Sequence, residues 1–291
     1  MIIVIIGPTG VGKTKLSLSL AKKYNAEIIN ADAMQVYKEM NIGTAKVSDT
    51  LDIPHHLLSI KSVTDSYSVF EYQKDGRRIL DDLLKQNKNV IVVGGTGLYI
   101  KALLYDYRFS DEEIHEEYDN LTNEELLEEI KVFEDTSVHV NNRKRLIRTL
   151  NRLKNNRTVS NLGDKLLYDN VYFIGLTTDR KILYDRINYR VDEMIEEGLI
   201  EEVKSLYEKN INSIPINTAI GYKELYKYFD GDISLEEAKE LIKRNSRRYA
   251  KRQYTWINNK MDVKWFDVNF SNFDKTIEEV ENYIKFSDLK S

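Results

Sequence analysis

Residues Ile2–Ile6 form an unbroken run of β-branched apolar side chains that leads straight into Gly7-Pro8-Thr9-Gly10-Val11-Gly12-Lys13-Thr14. An apolar strand with no polar face must be buried on both sides, which places it inside a parallel sheet covered by helices. The segment after it has the pattern G-x-x-x-x-G-K-[ST] and opens a helix. Glycines let successive backbone N–H groups turn inward around an anion, Lys13 adds a point charge, and Thr14 offers a hydroxyl to Mg²⁺. The positive end of the helix points at the same place. Strand, loop and helix together predict a diphosphate cradle. They leave open what is done with the diphosphate.

Further strands are expected at Glu27–Asn30, Val90–Val93, Val171–Leu176 and Val263–Phe266, separated by helical patterning over Thr14–Tyr24, Ser68–Gln86 and Arg180–Lys209. Another long helix is expected from Ser234 to Trp256, and a last one running to about Phe286. Alternation of this kind implies an α/β fold, a P-loop core whose parallel β-sheet is flanked by helices. The acidic stretch 111–135 has helical character without a strand signal and interrupts the alternation. The organisation expected is a core over 1–110, a small helical insertion over about 111–140, and the rest of the core, with basic helices, over 141–291.

The chain has 291 residues, enough for a full core, and no apolar run near the about 20 residues that span a bilayer. It has no cysteine, so a disulfide framework and a thiolate metal site are excluded, and a cytoplasmic protein is the simplest expectation; a monomer is expected as well. Net charge is −4, but the charge is segregated. Residues 111–135 hold twelve acids against one lysine, whereas 136–163 hold none and carry Arg143, Lys144, Arg145, Arg148, Arg152, Lys154 and Arg157. Residues 241–261 are also free of acids and carry Lys243, Arg244, Arg247, Arg248, Lys251, Arg252 and Lys260. Each stripe alone reads equally well as a solvated helix face; with a diphosphate loop on the same chain, the two together favour a phosphate-rich partner.

A P-loop hydrolase or kinase usually ends a second apolar strand with a Mg²⁺-holding Asp. Here Val90–Val93 ends instead in Gly94-Gly95-Thr96-Gly97-Leu98-Tyr99, and the carboxylate follows the other early strand, in Ile28-Ile29-Asn30-Ala31-Asp32. Ligands of open α/β sheets gather at the carboxyl ends of strands, so Asp32 and Thr96 are candidate site residues. An Asp beside a bound diphosphate can share Mg²⁺ with Thr14 or act as a general base. Capping the next helix is the structural alternative for Asp32, and a turn hydroxyl for Thr96. His55 and His56 have no partners at metal-ligand spacing and read as structural. A nucleotide or small-molecule kinase remains the alternative function.

Asp32-Ala33-Met34-Gln35-Val36-Tyr37 followed by Ile42-Gly43-Thr44-Ala45-Lys46 resembles the signature of tRNA dimethylallyltransferases, also called tRNA isopentenyltransferases. Matches continue in order through Pro54-His55-His56-Leu57, Gly94–Tyr99, Asn141-Asn142, Arg190-Val191-Asp192, Ala219–Glu224, and Ala250-Lys251-Arg252-Gln253 with Thr255-Trp256. The resemblance implies transfer of a dimethylallyl group from dimethylallyl diphosphate to N6 of adenosine 37 in a tRNA anticodon loop. By similarity, Asp32 is the general base and Thr96 hydrogen-bonds in the reacting centre. Gly7, Thr9, Gly10, Val11, Gly12, Lys13, Thr14 and Arg148 hold the diphosphate with Mg²⁺. The resemblance assigns tRNA contacts to Asp32, Ala33, Met34, Gln35, Thr96, His115, Lys144, Arg145, Arg148, Arg247, Lys251, Arg252 and Gln253. The chain departs from the family pattern at Ala33, where Ser is usual, at Thr149, Asn151 and Thr218, and at His115, which aligns with an Arg.

Overall fold

A computed structural model describes residues 1–48, 50, 52–109, 118, 120–134, 136, 138–154 and 164–288. Two compact units emerge, one made of Met1–Tyr105 with Leu167–Ser291 and the other of Asp106–Leu166.

The first unit is the α/β core. Strand β1 (Ile2–Ile6) enters the loop and helix α1 (Lys13–Tyr24), and β2 (Ala26–Asn30) follows. A two-residue edge strand, β3 (His55–His56), precedes α2 (Val69–Lys85), β4 (Asn89–Gly94) and α3 (Gly97–Leu104). The second unit holds α4 (Asn123–Lys131) and α5 (Arg143–Lys154). The chain returns to the core as β5 (Val171–Thr177), α6 (Arg180–Glu196), α7 (Leu199–Tyr207), α8 (Ile214–Thr218) and α9 (Tyr222–Phe229). It ends with α10 (Leu235–Lys260), β6 (Lys264–Asp267) and α11 (Phe273–Asp288). Among the described residues the six strands form one sheet in the order β3-β2-β4-β1-β5-β6, with every pairing parallel.

All five residues of β1 are buried, and Ile3 and Ile5 share a core with Leu16, Leu20, Ile28, Ile91, Ile174 and Leu176. This is the two-sided burial that an all-apolar strand requires. From β1 the chain crosses to β2 on one side, and from the second unit it returns to β5 on the other. The loop after β1 therefore lies where the winding direction reverses, the crevice in which such sheets bind ligands.

The helix expected over Arg180–Lys209 is two helices. Gly198, with φ +103°, separates α6 from α7 in a left-handed conformation that side-chain-bearing residues rarely adopt. The edge strand at His55–His56 was not expected from the pattern; two half-buried residues carry too little periodicity to register. His56 Nε2 meets Glu27 Oε2 at 2.7 Å, and His55 Nδ1 contacts Ile53 O at 2.7 Å. Among the described residues, neither belongs to a group of three or more side chains able to hold a metal. No described helix is long and apolar enough to cross a membrane.

The second unit is longer than the 111–140 insertion expected from the acidic run, and it takes in the basic helix α5. Leu146 and Leu150 on α5 pack with Leu126 and Ile130 on α4, so one small core needs both helices. Arg143 braces it by donating to Tyr118 O and Leu121 O, each at 2.6 Å.

At the carboxyl ends of β2 and β4 the two chains come unusually close. A Cβ built on Gly94 would sit 2.1 Å from Ala31 O, inside any tolerable contact. Gly94→Ala is therefore expected to force the strand ends apart and to destabilise the protein by about 1–3 kcal/mol. A denaturant titration reads this as a lower midpoint, and an unchanged midpoint would show that the ends can separate freely.

Candidate active site

The ladder between β2 and β4 runs on past both strands. Ala31 N donates to Val93 O at 2.8 Å, and Thr96 N donates to Ala31 O at 3.1 Å. Asp32 and Thr96 thus leave neighbouring strands side by side, and Ala33 N donates to Thr96 Oγ1 at 3.1 Å. Asp32 Oδ1 accepts from Met34 N at 3.0 Å, a local turn that fixes the carboxylate's orientation. Asn30, itself buried, holds the other side: its Oδ1 accepts from Asp32 N at 3.2 Å, and its Nδ2 donates to Leu57 O at 3.0 Å.

On the next strand over, β1 ends in the glycine loop. Gly10 (φ +82°) and Gly12 (φ +99°) make the left-handed turns that wrap the backbone round an anion site. Lys13 Nζ rests on Pro8 O at 2.8 Å. Burial lowers the Lys13 pKa from its ordinary value to about 8, Asp32 offsets part of that shift, and Arg190 adds to it. Val11 is wholly buried, so of this residue only the backbone can face a ligand.

Helix α6 starts on Asp179, whose side chain caps Lys181 N at 2.8 Å and Ile182 N at 3.2 Å. Four residues apart on one face, Arg186 and Arg190 both turn toward the loop. Arg186 Nε donates to Gly10 O at 3.3 Å. Burial lowers the pKa of Arg190, Asp32 opposes the shift, and the guanidinium remains charged.

These groups share one cavity of about 1010 Å³, lined by the loop, Asp32, Met34, Gln35, Arg186, Arg190, Tyr249, Arg252 and Gln253. One wall is the segment Gly43–Ala45. Gln35 Nε2 holds it by donating to Thr44 O at 3.0 Å, and Glu202 accepts from Asn41 N, Ile42 N and Gly43 N at 3.0, 2.9 and 3.2 Å. The phenol of Tyr222 donates to the same carboxylate at 2.5 Å.

Of the residues expected at the site, Asp32, Met34, Gln35 and Thr9, Gly10, Gly12, Lys13 and Thr14 of the loop line the cavity, while Ala33 and Thr96 are joined to each other beside Asp32. Lys251 and Arg252 are exposed on α10, and Arg252 reaches the cavity wall. Gln253, expected among the tRNA contacts, is buried with both ends of its amide engaged: Oε1 accepts from Thr9 N at 2.9 Å, and Nε2 donates to Gly95 O at 3.0 Å. Thr9 N is accordingly turned to Gln253. Arg247 donates to Asn188 Oδ1 at 2.5 Å, so its guanidinium ties α10 to α6. Arg145 and Arg148 are exposed on α5 of the second unit. His115 lies outside the described residues, and so does the side chain of Lys144.

Arg186, Arg190, Glu202 and Tyr249 were not singled out as site residues. Arg190 stands in a segment matching the family pattern, but nothing local tells that the helix bearing it faces the loop. Thr14 and Asp32 both line this cavity, and a hydroxyl with a carboxylate is a donor set compatible with Mg²⁺, which is usually held by one or two carboxylates together with substrate phosphates and water.

With this geometry in view, a family model described as IPP transferase matches residues 35–260. This chain belongs to that family. It is 48% identical to a tRNA dimethylallyltransferase of Anoxybacillus flavithermus, over 98% of this chain and 96% of that one. It is also 48% identical to a tRNA dimethylallyltransferase of Geobacillus thermodenitrificans, over 97% and 96% of the two chains. Among solved structures it matches the full-length tRNA isopentenylpyrophosphate transferase of Bacillus halodurans with a TM-score of 0.76 and 41% identity, covering 99% and 98% of the chains. A eukaryotic dimethylallyltransferase solved while acting on tRNA matches with a TM-score of 0.84 and 28% identity, covering 99% of this chain and 79% of that one. The α/β fold and the IPP transferase family expected from the motifs both hold.

Lys13 generates a pH prediction. Its cation is the form that attracts diphosphate, so affinity for inorganic diphosphate should decline as pH rises through about 8, with proton uptake on binding above that point. In folding, the sign is opposite. An unfolded lysine titrates near 10.5, so this residue contributes stability that increases between about pH 8 and 10.5. Calorimetric titration of the wild type and of Lys13→Met checks the first statement; a break that persists in the variant would assign it to another group.

Proposed function

We propose that the chain transfers a dimethylallyl group from dimethylallyl diphosphate to N6 of adenosine 37 in tRNA, giving N6-isopentenyladenosine. The observation that carries the reading is the convergence in one cavity of a diphosphate loop and Asp32, whose neighbour Ala33 is hydrogen-bonded to Thr96, with cations on the loop side. Belonging to the IPP transferase family supports it further.

In the reaction the N6 lone pair forms a bond to the allylic carbon while that carbon's bond to the diphosphate oxygen breaks. The bonding electrons leave on the diphosphate, and the N6 proton passes to Asp32. Because the lone pair of an exocyclic amine is delocalised into the ring, loss of the proton as the bond forms avoids a cationic product. Charge develops on the departing oxygen, so the decisive stabilisation is cationic. Lys13 and Arg190 serve it from the cavity wall beside the loop amides. Mg²⁺ held by Thr14 would neutralise diphosphate charge when bound, leaving the Asp32 carboxylate to take the proton. Adenosine 37 must leave its stack to reach such a cavity, and anticodon-loop bases are free to be splayed out in this way. The exposed cations Lys251 and Arg252, and Arg145 on α5, supply phosphate contacts. We take the working form to be a monomer and its location to be the cytoplasm.

Purified protein incubated with Mg²⁺, dimethylallyl diphosphate and an adenosine-37 tRNA should yield prenylated adenosine on nucleoside digestion. Its absence with several competent tRNAs sinks the reading, and ADP formed from ATP in a coupled assay would restore the kinase alternative. Asp32→Ala should lower turnover by at least about a hundredfold while tRNA affinity stays nearly constant. Equal loss of both would make Asp32 structural.

A further inference from the structure

Helix α10 brings more than charge to the cavity. Tyr249 and Gln253, one turn apart on the same face, enter it together. Gln253 is 6% exposed, and its amide joins two loops from different strands, accepting from Thr9 N at 2.9 Å and donating to Gly95 O at 3.0 Å. A Cβ on Gly95 would lie 2.0 Å from Gln253 Nε2, so a side chain there would displace the amide from its place between the two loops. The Tyr249 hydroxyl lies close enough to the side chains of Thr96 and Gln253 to interact with both. Thr96 in turn accepts from Ala33 N, next to Asp32. The Gln253 amide therefore ties the diphosphate loop to Gly95, next to Thr96, and Tyr249 lies between Gln253 and Thr96 on the way to the proposed base.

The reacting carbon must lie between a leaving group held by the β1 loop and an amine held near Asp32. These two grips sit on separate strand ends, and the loops there are the least constrained part of the sheet. A buried amide engaged at both ends resists separation because breaking either bond leaves a desolvated polar group. Burial, and after it the Asp32 charge, raise the pKa of the Tyr249 phenol, which therefore stays neutral throughout the ordinary pH range. It acts as a neutral polar spacer rather than a titrating acid.

We propose that Tyr249 and Gln253 are positioning residues that set the spacing between the diphosphate loop and the Asp32–Thr96 pair. The inference rests on the prenyl-transfer reading. It gives Gln253 a role between the two substrates' sites instead of a direct contact with tRNA.

The test measures single-turnover prenylation of an adenosine-37 tRNA, its pH profile, and calorimetric affinity for inorganic diphosphate with Mg²⁺, in wild type, Tyr249→Phe, Gln253→Met and the double variant. Tyr249→Phe should slow the step about tenfold with an unshifted pH profile, leaving diphosphate and tRNA affinities nearly constant. Gln253→Met should slow it about a hundredfold and weaken inorganic diphosphate about tenfold. The double variant should be little slower than Gln253→Met, because the two side chains act through one network. A wild-type rate in Tyr249→Phe, a shifted alkaline limb, or additive losses would overturn the proposal. So would loss of tRNA binding in Gln253→Met with diphosphate affinity intact. If Gln253→Met does not fold, as judged by its circular dichroism melt, Tyr249→Phe decides alone. A wild type that binds diphosphate but never prenylates tRNA would instead defeat the underlying reading, and the diphosphate affinity of Gln253→Met would still test the link to the loop.

Discussion

The site depends on how closely Ala31 and Gly94 approach each other. Without a side chain at Gly94, the ladder between β2 and β4 continues beyond the regular strands, through Ala31 N to Val93 O and Thr96 N to Ala31 O. That continuation sets Asp32 and Thr96, from separate segments, side by side, with Thr96 Oγ1 accepting from the backbone N–H of Ala33. Parallel strands supply the arrangement because all their carboxyl ends open on the same edge. The glycine loop after β1 opens there too, one strand away.

Charge is distributed unevenly over the resulting cavity. Lys13 and Arg190 both have their pKa values lowered by burial, and Asp32 is the anion that partly offsets each. Such a site holds its cations at a cost that an arriving polyanion relieves. It also holds them before the reaction begins, so little reorganisation is needed when charge develops on the leaving oxygen. A kinase would direct the same cations at a transferred phosphoryl group. In the proposed reaction Asp32, on the same cavity wall, would face the acceptor amine, so the diphosphate is what departs.

Much of this was legible along the chain because it depends on neighbours in sequence. The buried strand Ile2–Ile6, the loop Gly7–Thr14 and the start of α1 follow from apolar run, glycine spacing and helix onset, all local. Asp32 and Thr96 could be picked out because both follow apolar strands immediately. The break at Gly198 was less visible, since the apolar pattern of α6 and α7 continues almost in phase across it. The basic helix α5 reads as a charged face, and only its contacts with Leu126 and Ile130 reveal that it shares a core with α4.

Sequence alone determined the α/β class, the diphosphate loop, the two candidate reacting residues and, through ordered motifs, the family. Tertiary structure decided which distant residues complete the site. Arg190 and Gln253 are far from the loop along the chain, and each reads locally as one more polar residue on a helix. Arg190 becomes part of the loop's charge balance because α6 lies across it. Gln253 becomes a buried link between Thr9 and Gly95 because α10 covers both strand ends. Burial and partner choice arise when elements pack, and no spacing within a single helix encodes them.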